Sequence, residues 1–236
     1  MKKYGLNNGY IGIDQLKTIG GMISQHKHAS LRQGNQIRLG GATVIQDGLR
    51  SEYDITDIDT TYPSTWTDRG PQTQNLEFLG SPELVVQTGI NYLDFDATTD
   101  GFRPIGSYSL TGNSAGTIGM VIRTTDTQAL FFGTGNYLGA YRSGNKFYNS
   151  GFGSPTYWQD GYNKANIYDF LIDGNWHYIE FKNVERAATT HWTFSRYGGY
   201  ELNCDLRAVV SYDRNLSSEE TLANYNYFNN SGYLTT

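Results

Sequence analysis

The sequence contains a single cysteine, Cys204, among its 236 residues. One cysteine cannot form an intramolecular disulfide, so the fold has to be held together by its hydrophobic core, which a chain of this length is able to bury. No residue that would activate a thiolate lies close to Cys204 in sequence. We therefore predict that Cys204 is a small buried strand residue and not a nucleophile.

Charged residues are also scarce, at 17% of the chain, and the formal net charge is −5. Lys2 and Lys3 are followed by polar residues, not by the apolar region of a signal peptide. There is no basic cluster of the kind that binds phosphates, and no apolar run of the roughly 18 residues that a spanning helix needs. We expect a protein made in a cytoplasm, with neither nucleic acid nor a membrane as its partner.

Tyrosine and glycine are abundant, with 19 and 28 residues, and this composition favours strands and turns over helices. From Asp47 onward, short apolar runs alternate with turn signals such as Asp100-Gly101 and Asp160-Gly161. We predict an all-β antiparallel sandwich. Its expected strands cover residues 84–86, 92–95, 118–123, 129–132, 137–141, 146–148, 167–171, 176–181, 192–195 and 206–211.

The strand at 176–181 follows an Asp-Gly turn and alternates aromatic with apolar residues. His177, Ile179 and Phe181 are predicted to share one face, while Trp176 and its alternate neighbours point the other way. A strand of this kind suits a sheet that is covered on both sides. On this face His177 is expected to be a hydrogen-bonded core residue, because no nucleophile is evident for it to activate.

One helix is predicted near the C-terminus. Ser217 and Glu220 fit a capping box, in which each side chain binds the backbone N–H of the other residue. Leu222, Tyr225 and Phe228 then recur at helical spacing, so we expect them to form the buried face.

Residues 1–46 lack any steady period and are rich in glycine, asparagine and glutamine. Such a segment buries little apolar surface alone, so it is ordered only against its own domain or against other chains. We favour the second alternative and predict an extended N-terminal assembly arm, followed by a domain at residues 47–236. The arm's apolar anchors are expected to be Tyr4, Leu6, Tyr10, Ile11 and Ile13.

The arm also contains His26 and His28, whose side chains would point the same way in an extended segment. Two ligands from one chain do not form a metal site, although three copies around a threefold axis would bring six nitrogens together. We predict two solvated histidines, with metal binding in an oligomer as the alternative.

Several pieces of the sequence together carry a family resemblance. They are residues 48–54, 64–70 and 93–96, the turn and strand Asp173-Gly174-Asn175-Trp176-His177, and residues 210–220. In this order they resemble the laminin G-like members of the concanavalin A-like lectin and glucanase superfamily, most of all those found in phage structural proteins. The resemblance leaves out the first 46 residues.

The resemblance implies a jelly-roll sandwich of two antiparallel sheets with one short C-terminal helix. This fold hosts lectins, hydrolases and inert structural modules alike. Our main expectation is a phage virion structural protein, such as a head decoration, capsid-fibre or tail-associated subunit. It would be a homo-oligomer, attached to other virion proteins by its arm after assembly in the host cytoplasm.

A glycoside hydrolase is the weakest alternative. Retaining glucanases of the superfamily carry a Glu-x-Asp-x-x-Glu run, and Glu52, Asp54 and Asp57 approach that pattern. Asp57 is one methylene short, and no aromatic sugar platform adjoins it. The resemblance also places this run on an opening strand near the sandwich edge, whereas catalysis needs two carboxyls about 5–5.5 Å apart in a cleft. We therefore predict that the chain is not an enzyme.

A calcium-assisted glycan-binding domain for host adhesion is the stronger alternative. The stretch from Tyr148 to Asp160 has the aromatic and amide composition of a lectin loop, and it places Tyr148, Asn149, Tyr157 and Trp158 as the candidate sugar contacts. Calcium is a possible cofactor for this reading. The candidate ligands are Asp94, Asp96 and Asp100, which more often cap turns through their side chains.

Overall fold

Antiparallel strands and one C-terminal helix make up the part of the chain that the computed structural model describes. This part comprises residues 43–58, 64–96, 99–106, 115–126, 129–134, 137–143, 146–149, 155–184, 192–194, 196–197 and 200–235. All of it belongs to the compact unit Ala42–Thr236.

The strands of the described residues, in chain order, are β1 (Leu49–Asp54), β2 (Thr65–Trp66), β3 (Leu76–Leu79), β4 (Glu83–Val85), β5 (Tyr92–Asp96), β6 (Gly101–Pro104), β7 (Gly116–Arg123), β8 (Ala129–Thr134), β9 (Tyr137–Ser143), β10 (Lys146–Asn149), β11 (Thr156–Gln159), β12 (Tyr162–Lys164), β13 (Trp176–Val184), β14 (Trp192–Thr193), β15 (Arg196–Tyr197), β16 (Tyr200–Glu201) and β17 (Asn203–Tyr212). The helix α1 spans Ser218–Asn230.

The largest sheet has the order β12-β11-β13-β7-β17-β5-β4, with β1 also paired to β17. Every pair in it is antiparallel, and β13 lies against β7 along nearly its whole length. In this register His177 lies opposite Ile122 and Phe181 lies opposite Ile118, on the face that points to the core. The sequence prediction for this strand is confirmed, including the alternation of its two faces.

A second layer packs against this sheet. It contains the sheet β2-β3-β6 and the sheet β10-β9-β8-β14, joined where the Phe194 N–H donates to the Phe102 carbonyl at 2.9 Å. Phe95 of the large sheet contacts both of these rings, at centroid distances of 6.0 Å to Phe102 and 5.5 Å to Phe194. The packing of Phe95 against two rings of the other layer is consistent with the expected two-sheet sandwich.

The helix α1 begins with the predicted capping box, since Ser217 accepts from the Glu220 N–H and Glu220 accepts from the Ser217 N–H. The predicted buried face is wrong in part. Leu222 is 44% exposed, whereas Thr221 and Asn224 are fully buried. The cause lies below the helix, where the sheet presents polar groups that apolar residues cannot satisfy.

These polar groups belong to Tyr178, Glu180 and Tyr212, on the outer face of the sheet. Glu180 is fully buried and accepts from the Tyr178 hydroxyl at 2.8 Å and from the Thr221 hydroxyl at 2.6 Å. The Asn224 amide donates to the Tyr212 hydroxyl at 3.0 Å. The underside of α1 is therefore a hydrogen-bonded interface and not an apolar seam.

The other predicted strands agree with the observed ones within a few residues, with one exception. Residues 167–171 were expected to form a strand, but Ile167–Asp169 form a 3-10 helix. The Asp169 carboxylate accepts from the Asn166 N–H at 3.0 Å and closes this turn. Ile167 and Phe170 are buried as a strand would bury them, so the apolar pattern alone did not distinguish the two structures.

The arm residues Tyr4, Leu6, Tyr10, Ile11 and Ile13, as well as His26 and His28, lie outside the described residues, so the expected division at residue 46 stays a prediction. Val44, from the end of the expected arm, is buried in the core at 1% exposure. The Ile45 N–H donates to the Asn224 side chain at 2.8 Å.

Cys204 is buried on β17 with a free thiol, as predicted. Among the described residues, no helix has both the length and the apolar character to span a membrane.

Gly119 provides a test of how tightly the outer face is packed. A methyl group there would collide with the Tyr178 hydroxyl and lie 2.9 Å from its ring carbon Cζ. We expect Gly119→Ala to lower the free energy of unfolding by about 1–3 kcal/mol, measured by urea denaturation. In a Tyr178→Phe background the added cost should shrink, because the nearest clashing atom is gone. Equal costs in both backgrounds would contradict this packing.

Candidate functional site

The residues expected to contact a sugar are placed on two strands. Tyr148 and Asn149 belong to β10, and their side chains lie outside the described part of the structure. Tyr157 and Trp158 belong to β11. Tyr157 is only 7% exposed, and its ring packs edge-on against Phe181 at a centroid distance of 5.9 Å. The ring of Tyr157 is therefore a core element with no free face for a sugar.

Trp158 points to the opposite side of β11, where it lies opposite Glu180 in register. The Lys182 ammonium lies 3.9 Å from the centroid of its ring, a cation–π contact. The indole Nε1 is buried without a hydrogen-bond partner in the structure. Trp158 is half-buried, so it supports this surface more than it presents itself to a ligand.

The exposed aromatic ring at this edge of the sheet is Tyr162, at 71% exposure. It follows the two-residue turn between β11 and β12, in which Asp160 and Gly161 both have positive φ, at 52° and 81°. Such a turn matches the twist of a hairpin and closes it tightly. The sequence predicted the Asp160-Gly161 turn but not the exposure of Tyr162. Its position beside a turn on an edge strand is the signal that could have indicated this exposure.

Below this turn lies a group of three titratable residues, Asp160, Asp173 and His177, which we call the His177 cluster. His177 Nδ1 lies 2.6 Å from Asp160 Oδ2, and Nε2 lies 3.0 Å from Asp173 Oδ1. Asp160 Oδ1 also accepts from the Tyr178 N–H at 3.0 Å. The cluster thus joins the β11–β12 turn, the loop at residues 171–175 and the strand β13.

The cluster is partly open to solvent. The side chains of His177, Asp160 and Asp173 are 13%, 25% and 44% exposed. Burial acts to lower the pKa of His177, but the hydrogen bonds and charges of Asp160 and Asp173 outweigh it and raise that pKa. The hydrogen bond from the Asn175 N–H is the main cause that lowers the pKa of Asp173, and the hydrogen bond from His177 is the next. Both effects favour an imidazolium held between two carboxylates.

A small cavity of about 10 Å³ adjoins the cluster, with room for about one water molecule. It is lined by Ile122, Thr124, Phe170, Leu171, Ile172, His177 and Ile179. Its lining is apolar apart from His177 and Thr124, so it is a packing defect at the end of the sandwich and not a ligand pocket.

The helix α1 extends the surface beside the turn. A methyl group on Gly161 would lie 2.8 Å from the Leu222 side chain, so this helix residue covers the turn closely. Burial, and then the neighbouring Asp160 and Tyr162, raise the pKa of Tyr225. Tyr162, Leu222 and Tyr225, which we call the aromatic patch, are exposed or partly exposed residues around the β11–β12 turn, which also carries Asp160 of the His177 cluster.

The candidate calcium ligands do not converge. Asp100 is buried, and its side chain accepts from the Ser81 N–H at 2.8 Å, as expected of a turn-capping residue. Asp94 faces Asp205 across the sheet, and burial followed by that carboxylate raises the pKa of Asp94. Within the described ranges, no three acidic, histidine or cysteine side chains are grouped so as to hold a metal ion.

The acidic run at Glu52, Asp54 and Asp57 is organised by an arginine. Arg69 pairs with Asp54 at 2.6 Å and also binds Asp57. The Asp54 carboxylate, which is 4% exposed, accepts in addition from the Tyr233 hydroxyl at 2.7 Å. These contacts connect β1 to the C-terminal tail. They give the carboxylates of Asp54 and Asp57 a structural role.

No protein-family model matches the sequence, and no curated protein sequence matches it significantly. Solved structures with a similar fold exist. Trypanosoma rangeli sialidase in complex with sialic acid aligns with a TM-score of 0.51 at 14% identity, over 95% of this chain and 40% of the sialidase chain. The binding domain of Paraclostridial Mosquitocidal Protein 1 aligns with a TM-score of 0.51 at 12% identity, over 78% of this chain and 53% of that one.

The likeness to sialidases corrects one expectation. The chain was predicted not to be an enzyme; its likeness to the fold of a sialidase, which is an enzyme, contradicts that prediction as far as the fold is concerned. Identities of this size show the fold alone, and the chain spans less than two thirds of either protein. The fold is thus one of sheet-rich sialidases and toxin binding domains, while membership of the laminin G-like group stays a prediction.

The structural role of Arg69 is testable with a matched arginine. Arg69→Met would leave the buried Asp54 carboxylate without its cation, so we expect a loss of about 2 kcal/mol in the free energy of unfolding. Arg103→Met is the control, since the Arg103–Glu77 pair is 46% and 39% exposed and should contribute below about 1 kcal/mol. Urea denaturation of both variants measures the difference. Similar losses would show that the Arg69 pair behaves as a surface ion pair.

Proposed function

We propose that this chain is a lectin-like glycan-binding module whose site is the aromatic patch together with the His177 cluster. The observation that carries the proposal is the 71% exposed ring of Tyr162 next to oriented carboxylates. Sugar sites combine one aromatic face, on which the apolar side of the ring packs, with polar groups that bind its hydroxyls. Both components are present at the β11–β12 turn.

The hydroxyl-binding groups in this proposal are Asp160 and Asp173. A carboxylate accepts several hydrogen bonds, and Asp173, at 44% exposure, has oxygen surface left after its bonds to His177 and the Asn175 N–H. His177 holds both carboxylates in place, so a sugar would not have to order them. Preorganised acceptors of this kind lower the entropic cost of binding.

The local charge favours a neutral sugar over an acidic one. Asp160 and Asp173 contribute two carboxylates to the site, against the single positive charge of the His177 imidazolium. An acidic sugar would bring a further negative charge close to Asp173. We therefore propose neutral glycans as the preferred ligand class.

The fold comparisons support the proposal in general terms. One similar structure is a sialidase in complex with sialic acid, and another is a toxin binding domain. Each description applies to that protein, and both proteins are much longer than this chain. We further propose the jelly-roll connectivity of lectin sandwiches for the two layers, on the basis of their antiparallel pairing and the packing of Phe95 between them.

The virion role, the homo-oligomer and the attachment by residues 1–46 remain predictions, since no contact of the described residues tests them. These predictions are compatible with glycan binding, because attachment would use residues 1–46 and sugar binding would use the surface at the β11–β12 turn. Removal of residues 1–41, which leaves the buried Val44 in place, would separate the two roles by removing attachment while leaving sugar binding intact.

A glycan array that contains neutral and acidic sugars tests the proposed function with the full chain. We expect binding to neutral glycans and a loss of about tenfold in affinity for Tyr162→Ala, because the stacking face is removed. The assay is run in calcium and again in chelator, which tests the expected calcium assistance separately.

Val86→Ala is the matched control, since Val86 is 68% exposed just after β4, at the opposite edge of the same sheet. It should bind like the unchanged protein. Equal losses for both variants, or no binding by a well-folded sample, would overturn the proposed function.

A further inference from the structure

The two ring nitrogens of His177 both lie against carboxylate oxygens, at 2.6 Å from Asp160 and 3.0 Å from Asp173. A carboxylate has no hydrogen to donate once it is ionised, so the imidazole has to supply both hydrogens. Only the protonated ring carries two N–H groups. The observed geometry is therefore satisfied by one protonation state of His177 and broken by the other.

We propose that His177 is a proton-operated latch, which ties Asp173 and its loop to the sheet when the ring is protonated and releases them when it is neutral. The proposal rests on the two distances and on proton counting, and it holds whether or not the module binds glycans. Its consequence for the proposed sugar site is that the state of Asp173 would change with pH.

The structure also indicates which carboxylate is released. Asp160 makes the shorter bond, is less exposed than Asp173, and is fixed from the other side by the Tyr178 N–H. The neutral ring would therefore keep its hydrogen on Nδ1 towards Asp160. The lone pair of Nε2 would then face the Asp173 carboxylate, and the attraction would become a repulsion.

The moving segment is short. Leu171 is anchored by the Gln159 side chain, which accepts from its N–H at 2.8 Å. The Gly174 N–H donates to the Thr124 carbonyl at 3.2 Å. Ile172 and Asp173 lie between Leu171 and Gly174, and the Asn175 N–H donates to Asp173 Oδ1 at 3.0 Å, so release of Asp173 is expected to weaken the hydrogen bonds of the Gly174 and Asn175 amides.

Two charged groups face the His177 ring among the described residues. Asp160 faces His177 from the β11–β12 turn, and Asp173 faces it from the loop. The other residues lining the space beside the ring are uncharged: Ile122, Thr124, Phe170, Leu171, Ile172 and Ile179. A change in the loop that follows the titration of His177 is therefore expected to depend on these two carboxylates.

Amide hydrogen exchange of Gly174 and Asn175, measured by NMR between pH 5 and pH 9 and corrected for intrinsic rates, tests the latch in the full chain. The His177 ring is titrated in the same samples, and its signals are assigned by their loss in His177→Gln. We expect the protection of these two amides to fall about fivefold as pH rises through the His177 midpoint.

Asp173→Asn should abolish this pH response, and it should also lower the His177 midpoint. Asp169→Asn is the matched control, because it removes a carboxylate from the neighbouring turn without touching the latch, and the response should persist. Protection that stays constant while His177 titrates would overturn the proposal, as would a fall in protection that survives in Asp173→Asn. Sugar binding is not part of this readout, so failure of the glycan array would leave the latch result unaffected.

Discussion

The carboxyl group of Glu180 is fully buried at the middle of β13, and the rest of the structure has to satisfy it. A buried carboxyl without hydrogen bonds costs several kcal/mol, of the order of a small domain's whole stability. Its partners come from β13 itself, through Tyr178, and from α1, through Thr221. Burial raises the pKa of Glu180, although these bonds and the nearby Lys182 act in the opposite direction. The orientation of α1 follows from this requirement, because Thr221 has to face the sheet.

The proposed site depends on the same constraint. With Thr221 turned towards β13, Leu222 and Tyr225 are carried to the side of the helix that adjoins the β11–β12 turn. Together with Tyr162, on the strand that follows the turn, they make up the aromatic patch. The other face of β13 supplies His177. Its ring lies on the core side of the sheet, and its two nitrogens contact the carboxylates of Asp160 and Asp173 near the surface. One strand thus positions both components of the site, the apolar surface through the helix and the polar cluster directly.

The features that the sequence predicted well are those set by local chemistry. The Ser217 capping box, the Asp160-Gly161 turn and the alternation along β13 each depend on neighbours within a few residues. The buried face of α1 was predicted wrongly, because the polar group beneath it, Glu180, is distant in sequence. Tyr157 was expected at a sugar site and lies in the core for a similar reason. Which side of β11 faces the second layer is decided by its pairing with β13, and composition does not contain that information.

The His177 cluster stabilises the fold over a limited pH window, and its two sides differ. Burial alone would lower the pKa of His177, yet the two carboxylates raise it, so the stability from the charged ring is complete below its ordinary pKa of about 6.5 and is lost as pH rises through the raised value. The pKa of Asp173 is lowered, so its contribution is present above about 3.9 and is lost as pH falls. Both contributions coexist between about pH 4 and pH 6.5. Water screens Asp173, which is 44% exposed, more than His177, which is 13% exposed. The alkaline side, where the ring becomes neutral, is therefore where this end of the sandwich loses the larger share of its electrostatic support.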